Sequence, residues 1–302
     1  MFVLAHLSDP HLSPLAGARL RELAGKRALG LLNWRMRRRF EHRADVLDAL
    51  LADLATQATD HIAVTGDLVN LALPGEFTAA RTFLERVGPP DRVSLVPGNH
   101  DAYARATLGL GRAQWGEYMT GDAAPGEGGE HFPYERRRGP VAIVGLSTGV
   151  PTGFFMAWGQ LGETQLRRLD ERLEALGREQ VFRIVLLHHP PVPFRRDRRK
   201  ELVDAAAFRA VLRRRGAELV LHGHTHLRLV NRIDGPDSSI PVVGVPSASA
   251  AGRHDDAATY NLYRITAGEN GWSCEMVARG CAPGQGAIAE VDRRVLHPAP
   301  EG

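Results

Sequence analysis

Five short polar motifs occur in order along this chain, and each follows a run of apolar residues. The runs are rich in Val, Ile and Leu and stop at Gly, Pro, Asp or Asn, which is typical of buried strands that end in loops. In an open α/β sheet, loops at the carboxyl ends of the strands bring distant residues into one cleft. The motifs are Asp9-Pro10-His11, Gly66-Asp67, Gly98-Asn99-His100-Asp101, His188-His189-Pro190-Pro191 and His222-Gly223-His224-Thr225-His226.

The secondary-structure pattern between the motifs predicts an α/β fold. Apolar residues at helical spacing begin at Val46, Phe77, Leu166 and Phe208 and separate several of the apolar runs. No helical pattern separates the last three runs, so we expect a mixed sheet with a late antiparallel part. Strands are predicted at Phe2–Leu7, His61–Thr65, Arg92–Val96, Val141–Ser147, Phe182–His188, Glu218–His222, Ile240–Val245, Tyr260–Ile265 and Trp272–Val277.

The side chains of the five motifs are oxygen and imidazole donors. Together they supply carboxylates, an amide and several imidazoles, which is enough to hold two divalent metals that share one carboxylate. Burying so many ionisable groups without a metal would be costly. Nitrogen and oxygen ligation without thiolate suits Mn, Fe, Zn or Co and does not choose among them. A two-metal site of this kind supports phosphoryl transfer to water.

The order of the motifs resembles that of the calcineurin-like metallophosphoesterase superfamily. The pattern of that superfamily is Asp-x-His, Gly-Asp, Gly-Asn-His-Asp/Glu, His and Gly-His-x-His, and the match here runs from Asp9 to His226. A lone Gly-Asp is weak evidence, but all five motifs in order at strand ends form a strong signal. The resemblance implies a four-layer α/β/β/α sandwich. It also implies hydrolysis of a phosphoester by a hydroxide that bridges two metals.

The resemblance also implies a role for each matching residue. The metal ligands would be Asp9, His11 and His226 at one metal and Asn99, His188 and His224 at the other, with Asp67 bridging them. His100 would face the substrate as a general acid or a charge-stabilising donor, and Asp101 would orient it by accepting from its other ring nitrogen. His189 is an alternative ligand to His188, although the position directly at the strand end favours His188. His222 would orient the metal ligands without binding a metal itself.

Analogy with relatives that carry the same arrangement, including an intact His100, favours a phosphodiester substrate. Three other functions stay open. An exonuclease would act on DNA, but a formal net charge of +3 does not favour a nucleic-acid partner. A pyrophosphohydrolase acting on a nucleotide-linked lipid has support only from the insert described next. A non-enzymatic scaffold would hold metal without turnover, yet this chain keeps every ligand position.

Residues 17–43 form an insert between the first motif and the next predicted helix. Its apolar residues recur at roughly helical spacing, and its basic residues lie between them. The apolar positions are Leu29, Leu32, Met36 and Phe40. The pattern favours an amphipathic helix packed over the core with its basic side in solvent. The alternatives are a cap over the active site or a peripheral contact with a membrane, because basic amphipathic helices also lie in membrane interfaces.

Two further segments are expected near the rim of the cleft. The basic run Arg195–Lys200 could attract an anionic substrate, although a solvated loop is an equal alternative. Phe154, Phe155 and Trp158 could form an apolar wall of the substrate pocket, or could pack in the core.

The composition fits a soluble chain that can bury a large core, since 43% of its 302 residues are hydrophobic and 24% are charged. The chain lacks a run of roughly eighteen apolar residues, and Asp9 comes too early for a cleaved signal peptide, so we expect a cytoplasmic location. Cys274 and Cys281 are predicted to be free thiols. We expect a metallophosphoesterase domain at 1–281, followed by a tail at 282–302 that crosses the surface or is disordered.

Overall fold

The computed structural model describes residues 1–12, 26–103, 108–123, 131–153, 155–193, 197–252, 256–269, 271–281 and 287–298. The strands are β1 (Phe2–Leu7), β2 (His61–Val64), β3 (Val93–Leu95), β4 (Tyr134–Arg138), β5 (Val141–Gly145), β6 (Phe182–Leu186), β7 (Leu219–His222), β8 (Leu229–Asp234), β9 (Ser239–Gly244), β10 (Thr259–Gly268), β11 (Gly271–Cys281) and β12 (Ile288–His297). The α-helices are α1 (Lys26–Asn33), α2 (Arg39–Glu41), α3 (Ala44–Ala55), α4 (Pro74–Val87), α5 (Leu108–Trp115), α6 (Glu163–Gly177) and α7 (Ala205–Arg215). A π-helical turn at Trp34–Arg38 joins α1 to α2, and a 3₁₀ turn at Gly116–Met119 follows α5.

The strands form two mixed sheets of six strands each. The first sheet has the order β12-β11-β10-β1-β2-β3, in which β1, β2 and β3 are parallel and β10 to β12 are antiparallel. The second sheet has the order β4-β5-β6-β7-β9-β8, with a parallel centre and an antiparallel strand at each edge. The predicted mixed topology with a late antiparallel part is therefore confirmed.

Alternating side chains of the second sheet show how the layers stack. Ile143 and Ile184 point into the core cluster shared with the first sheet, whereas Val144 and Val185 join the cluster formed with α6 and α7. Neighbouring residues of a strand point to opposite faces, so the second sheet is covered by the first sheet on one face and by helices on the other. Apolar residues of α3 and α4 belong to the cluster of the first sheet. The fold is the expected four-layer α/β/β/α sandwich.

All nine predicted strands are present, but three strands were missed. The missed strands are β4, β8 and β12, and all three lie at sheet edges. Edge strands often carry charged side chains because these discourage pairing with other chains, so they lack the apolar run that identifies a central strand. The sequence of β4, Tyr-Glu-Arg-Arg-Arg, shows this directly.

The alternative of a disordered tail is wrong for Ile288–His297. This segment is β12, which pairs with β11 along its length and has two register shifts. Leu296 is buried in the core, while most other side chains of β12 are partly or fully exposed. Such sparse burial explains why the sequence pattern looked weak. The domain bounds proposed from the sequence stay a prediction.

The predictions about the cysteines and about membrane-spanning helices can be compared with the structure. Both cysteines are free, as predicted. Among the described residues, no helix has the length and apolar content needed to span a bilayer.

Candidate metal centre

The predicted site residues come together where five parallel strands end. The residues that follow the strands are Asp9 and His11 after β1, Asp67 after β2, Asn99 after β3, His188 after β6, and His224 and His226 after β7. All but His224 and His226 are buried, and those two are partly exposed. The topology rule that located the cleft from the sequence therefore holds in the structure.

The backbone of these loops is strained. Left-handed φ angles occur at non-glycine residues, where they are sterically unfavourable. They are found at Asp9 (51°), His11 (41°), Asp67 (55°), His224 (68°) and His226 (56°). Such strain persists only where the surrounding structure enforces it, and it concentrates at functional sites.

The first donor cluster consists of Asp9, His11 and His226. The Nε2 atoms of His11 and His226 are 3.2 Å apart. Oδ1 of Asp9 lies 3.3 Å from His226 Nε2 and 3.9 Å from His11 Nε2. Ligand atoms bound to one metal at about 2.1 Å lie roughly 3 to 4 Å from one another. The three donors therefore fit a single ion.

The second donor cluster consists of Asn99, His188 and His224. Nε2 of His188 lies 3.2 Å from Oδ1 of Asn99 and 3.3 Å from Nδ1 of His224. Asp67 stands between the clusters, because its Oδ2 is 3.4 Å from His188 Nε2 and 3.9 Å from His11 Nε2. One carboxylate oxygen thus faces both groups of donors.

The charge balance of the centre fits a bound cation. Oδ1 of Asp9 is buried and has no hydrogen-bond partner among the described residues. Burial opposes a charge on His188, but the Asp67 carboxylate outweighs it and raises the pKa of His188 to about 9. Burial likewise opposes ionisation of Asp67, yet the imidazoles of His188, His100 and His11 hold its pKa well below the usual value. Without a metal, the cluster retains a proton that a cation would displace.

Gly98 allows the third loop to approach the bridging carboxylate. A Cβ at this position would lie 2.2 Å from Oδ1 of Asp67 and 2.7 Å from its backbone nitrogen. Any other residue would push Asp67 away from the two donor clusters.

The structure distinguishes the two adjacent histidines. His188 donates from Nδ1 to the carbonyl of Thr65 at 2.6 Å, which leaves Nε2 in the donor cluster. Both nitrogens of His189 point elsewhere, with Nδ1 2.7 Å from the Thr148 hydroxyl and Nε2 3.0 Å from the Ala157 carbonyl. His188 therefore supplies the donor atom. His222 has Nδ1 beside the Gly223 carbonyl and touches neither cluster by a hydrogen bond among the described residues.

The role expected for Asp101 is wrong. Its carboxylate does not contact the His100 ring, because it accepts four backbone N–H groups instead. The donors are the amides of Asp67, Leu68, Val69 and Gly98, at 2.8 to 3.3 Å. Burial and the charge of Asp67 raise the pKa of Asp101 to about 7. Asp101 shapes the loop that carries the bridging ligand.

His100 is oriented by the neighbouring loop. Its Nδ1 donates to the carbonyl of Asn70 at 2.6 Å, and its ring stacks on Tyr103. Arg38 brings a guanidinium nitrogen to 3.4 Å from the same Nδ1. Burial and this cation lower the pKa of His100 to about 4.

Three residues at the site were missed from the sequence. Glu76 is fully buried in the first turn of α4 and accepts the amides of Asn70, Leu71 and Leu73. Arg38 and His42 come from the insert, and they lie beside His100 and His11 respectively. Glu76 could have been recognised as a carboxylate in the first turn of a helix that follows a motif.

The packing expected for the insert is also wrong. Leu32, Met36 and Phe40, expected to face the core, are 52%, 66% and 44% exposed, and the Leu29 side chain lies outside the described residues. The residues that pack are Leu31 and Trp34, which cover Leu71 and Leu73. The packed face already differs from the expected one within α1, where Leu31 packs and Leu32 is exposed, whereas the π-helical turn begins only at Trp34.

The aromatic segment and the second basic run expected at the cleft rim are only partly described by the structure. Phe155 is 77% exposed, so it does not pack in the core, while its role in an apolar pocket wall stays a prediction; Phe154 lies outside the described residues. In the second basic run, Arg195 and Arg196 also lie outside the described residues, and Arg198 to Lys200 are exposed. Its attraction for an anionic substrate stays a prediction.

Sequence comparison agrees with this geometry. A profile of the calcineurin-like phosphoesterase family matches residues 2–228, which include both donor clusters. The chain belongs to the calcineurin-like phosphoesterase family. It is similar to a protein of Synechococcus sp. described as a probable cyclic nucleotide phosphodiesterase, with 28% identity over 181 residues. The alignment covers 59% of this chain and 62%, less than two thirds, of that relative.

Solved structures share the architecture. A dimetal phosphatase from Danio rerio superposes with a TM-score of 0.65 at 14% identity, covering 98% of both chains. A purple acid phosphatase from yellow lupin seeds gives a TM-score of 0.58 at 14% identity, covering 97% of this chain and 53% of the lupin chain. At such identities the likeness shows the fold alone.

Proposed function

We propose that this chain hydrolyses phosphodiesters at a centre of two divalent metals. The observation that carries the proposal is the position of Asp67, whose Oδ2 faces both donor clusters at 3.4 and 3.9 Å. Two metals bound there would lower the pKa of water and offset charge on the phosphoryl oxygens. We assign one metal to Asp9, His11 and His226, the other to Asn99, His188 and His224, and the bridge to Asp67.

The chain itself supplies the groups that would bind and orient the substrate. His100 stands at the rim of the centre, with Nδ1 fixed by Asn70 so that Nε2 is the nitrogen left to face the substrate, where it would donate to the leaving oxygen only as the imidazolium. Arg38 adds a permanent positive charge beside it. A guanidinium suits two phosphoryl oxygens at once, so Arg38 would bind the non-bridging oxygens and hold the ester in line.

Similarity to a relative in sequence also supports the preference for a diester. The Synechococcus relative is described as a phosphodiesterase, and the sequence resemblance favoured the same substrate class. A diester carries one negative charge, which the single guanidinium of Arg38 can balance without further cations from the described part of the insert.

The test compares bis-p-nitrophenyl phosphate with p-nitrophenyl phosphate on metal-stripped protein resupplied with Mn²⁺. We expect turnover that favours the diester and that disappears in Asp67→Asn. Asp237→Asn, an exposed carboxylate on a distant turn, is the matched control and should behave as wild type. Preference for the monoester would reject the diester assignment. Equal turnover by Asp67→Asn would reject the bridged centre.

A second candidate is a diester or pyrophosphate carried by a membrane lipid. The observation behind it is the exposed strip Leu32, Met36 and Phe40 on the insert, whose residue Arg38 lies beside His100. The segment Lys26–Phe40 holds six basic residues and no acidic one, and the Arg39 guanidinium lies 4.5 Å from the Phe40 ring centre. An apolar strip among cations fits the surface of an anionic bilayer.

Vesicle sedimentation tests this candidate. The protein is mixed with phosphatidylcholine vesicles with or without phosphatidylglycerol, and the bound fraction is compared with that of Leu32→Ser/Met36→Ser. We expect binding that needs the anionic lipid and falls in the variant. Equal sedimentation of both proteins, or none, would remove the membrane candidate and leave a water-soluble diester. The predicted cytoplasmic location stays a prediction.

A further inference from the structure

The insert ends at a histidine that reaches the first donor cluster. His42 is only 8% exposed, and its ring centre lies 4.4 Å from that of His11 and 5.5 Å from that of His226. One nitrogen from each of the three rings lies within 4.8 Å of the other two. His42 thus occupies the surroundings of the same ion that His11 and His226 would hold.

The ring of His42 is oriented as metal-binding histidines usually are. Its Nδ1 lies 2.9 Å from the hydroxyl of Ser249, and the hydroxyl of Ser247 donates to the Asp9 carbonyl at 2.6 Å. The two hydroxyls are 3.3 Å apart. A chain of donors can therefore run from His42 Nδ1–H through Ser249 and Ser247 to the backbone of Asp9. This chain places the proton on Nδ1 and leaves Nε2 as the ligand atom.

His188 provides an internal comparison. Its Nδ1 is held by the Thr65 carbonyl at 2.6 Å, and its Nε2 belongs to the second donor cluster. His42 repeats this arrangement with a serine hydroxyl in place of the carbonyl. Holding the remote nitrogen fixes the tautomer and the ring plane, which strengthens a metal ligand.

The backbone around His42 is tied to the core as well as to the insert, where the His42 amide donates to the Arg38 carbonyl at 2.9 Å. The amide of Arg43 donates to the Ser249 carbonyl at 2.9 Å, and the amide of Ala251 donates to the Glu41 carbonyl at 2.7 Å. These bonds flank His42 on both sides. The ring is therefore held beside His11 by bonds to the core in addition to the helical part of the insert.

We propose that His42 is an additional ligand of the metal held by Asp9, His11 and His226, a proposal that rests on the two-metal function above. The first site would then have three imidazoles, whereas the second has two imidazoles and an amide. Imidazole suits Zn²⁺ and Fe²⁺ better than Mg²⁺ or Ca²⁺. The first site should therefore select Zn²⁺ or Fe²⁺ over the harder cations and bind more tightly than the second.

Metal binding by His42→Gln tests the proposal without any enzyme assay. Bound Zn²⁺ is counted by mass spectrometry, and affinity is measured by competition with a chromophoric chelator. We expect one of the two ions to bind about tenfold to a hundredfold more weakly while the other is unchanged. His61→Gln is the matched control, because His61 is also buried and bonded to a serine, Ser94, but lies away from the centre.

His42→Cys gives a signal that a structural role cannot produce. A thiolate at a metal ligand position should give a near-ultraviolet charge-transfer band when the protein is loaded with Co²⁺, whereas the wild type, with Cys274 and Cys281, should give none. This result would support the proposal even if His42→Gln folds poorly. Absence of the band in a folded, Co²⁺-loaded variant would overturn it.

Two other results of the His42→Gln measurement would also overturn the proposal. Unchanged stoichiometry and affinity in His42→Gln, with a raised KM for the diester, would overturn the ligand role and show that His42 contacts substrate. Unchanged values throughout would overturn any role at the site. Failure of the two-metal function itself would be seen separately, as wild-type protein that binds fewer than two ions.

Discussion

The loops that carry the metal donors and the insert that covers them are built in opposite ways. The donor loops leave buried parallel strands, and two buried carboxylates hold their backbone amides. Asp101 and Glu76 together accept seven backbone N–H groups around the second and third loops. The helical part of the insert is held chiefly by Arg27 on the carbonyls of Leu71 and Ala72 and by packing of Leu31 and Trp34, and backbone bonds to the core occur only near its end, at Glu41 and Arg43.

This difference separates metal binding from substrate handling. All seven donor residues that follow the strands should keep their positions without the helical part of the insert, because strand ends and buried amide bonds fix them. The insert rests on the second loop, so its own position depends on that loop. Damage to the loops should remove the metals, whereas damage to the helical part of the insert before His42 should spare them and change the substrate that is accepted.

The largest effect should come from Asp67→Asn. The amide keeps the shape of the side chain but loses the charge that faces both clusters, so we expect both metals to bind more than ~100-fold more weakly and turnover to vanish. Metal content after dialysis checks this. Retention of two tightly bound ions would show that the clusters do not depend on a shared carboxylate. The donor loops would then not be the part of the molecule that decides metal binding.

Asp101→Ala should have the next largest effect. Four backbone amides would lose their acceptor in a buried loop, and each unsatisfied group costs about 1 to 3 kcal/mol, partly relieved by water. We expect a lower thermal midpoint and weaker metal binding, with Asp197→Ala, an aspartate outside the site, as control. If instead the metals and stability are kept and only kcat falls, Asp101 acts on His100 as the sequence had suggested.

The donor residues could be predicted from the sequence because their geometry follows from topology. Each motif lies at a strand end, and parallel strands of one sheet end on the same side. The choice of His188 over His189 also followed from distance to the strand end. The Asp101 contacts could not be predicted, because they depend on how two loops distant in sequence pack against each other.

The insert and the sheet edges show the limit of periodicity. Helical spacing correctly predicted a helix, but Leu31 and Trp34 pack where Leu32 and Met36 were expected to do so. The edge strands β4 and β12 carry charged side chains that hide their strand character. His42 was missed because a lone histidine carries no pattern, and its significance depends on Ser249 and His11, which are far away in sequence.

Arg38→Ala should separate the two regions most clearly. The guanidinium stands beside His100 but is not a metal donor, so we expect both ions to stay bound while kcat/KM for the diester falls about tenfold to a hundredfold, as for loss of a charged hydrogen bond. Arg39→Ala is the matched control, because Arg39 is the next residue along but is exposed. Loss of metal in Arg38→Ala would mean that the insert holds the centre together.

The smallest effect on stability should come from Leu32→Ser/Met36→Ser. Both side chains are mostly in water, so their removal forfeits little buried apolar surface, and we expect a change of no more than about 0.5 kcal/mol per site in the free energy of unfolding. Leu31→Ser is the matched control, because Leu31 lies on the face that packs over Leu71 and Leu73. This substitution should make the insert sensitive to limited proteolysis while the sheets stay folded. A large stability loss in the double variant would mean that the strip is buried by another part of the chain or by a second copy. The strip would then be buried, and the contrast between an exposed insert and buried donor loops would no longer hold.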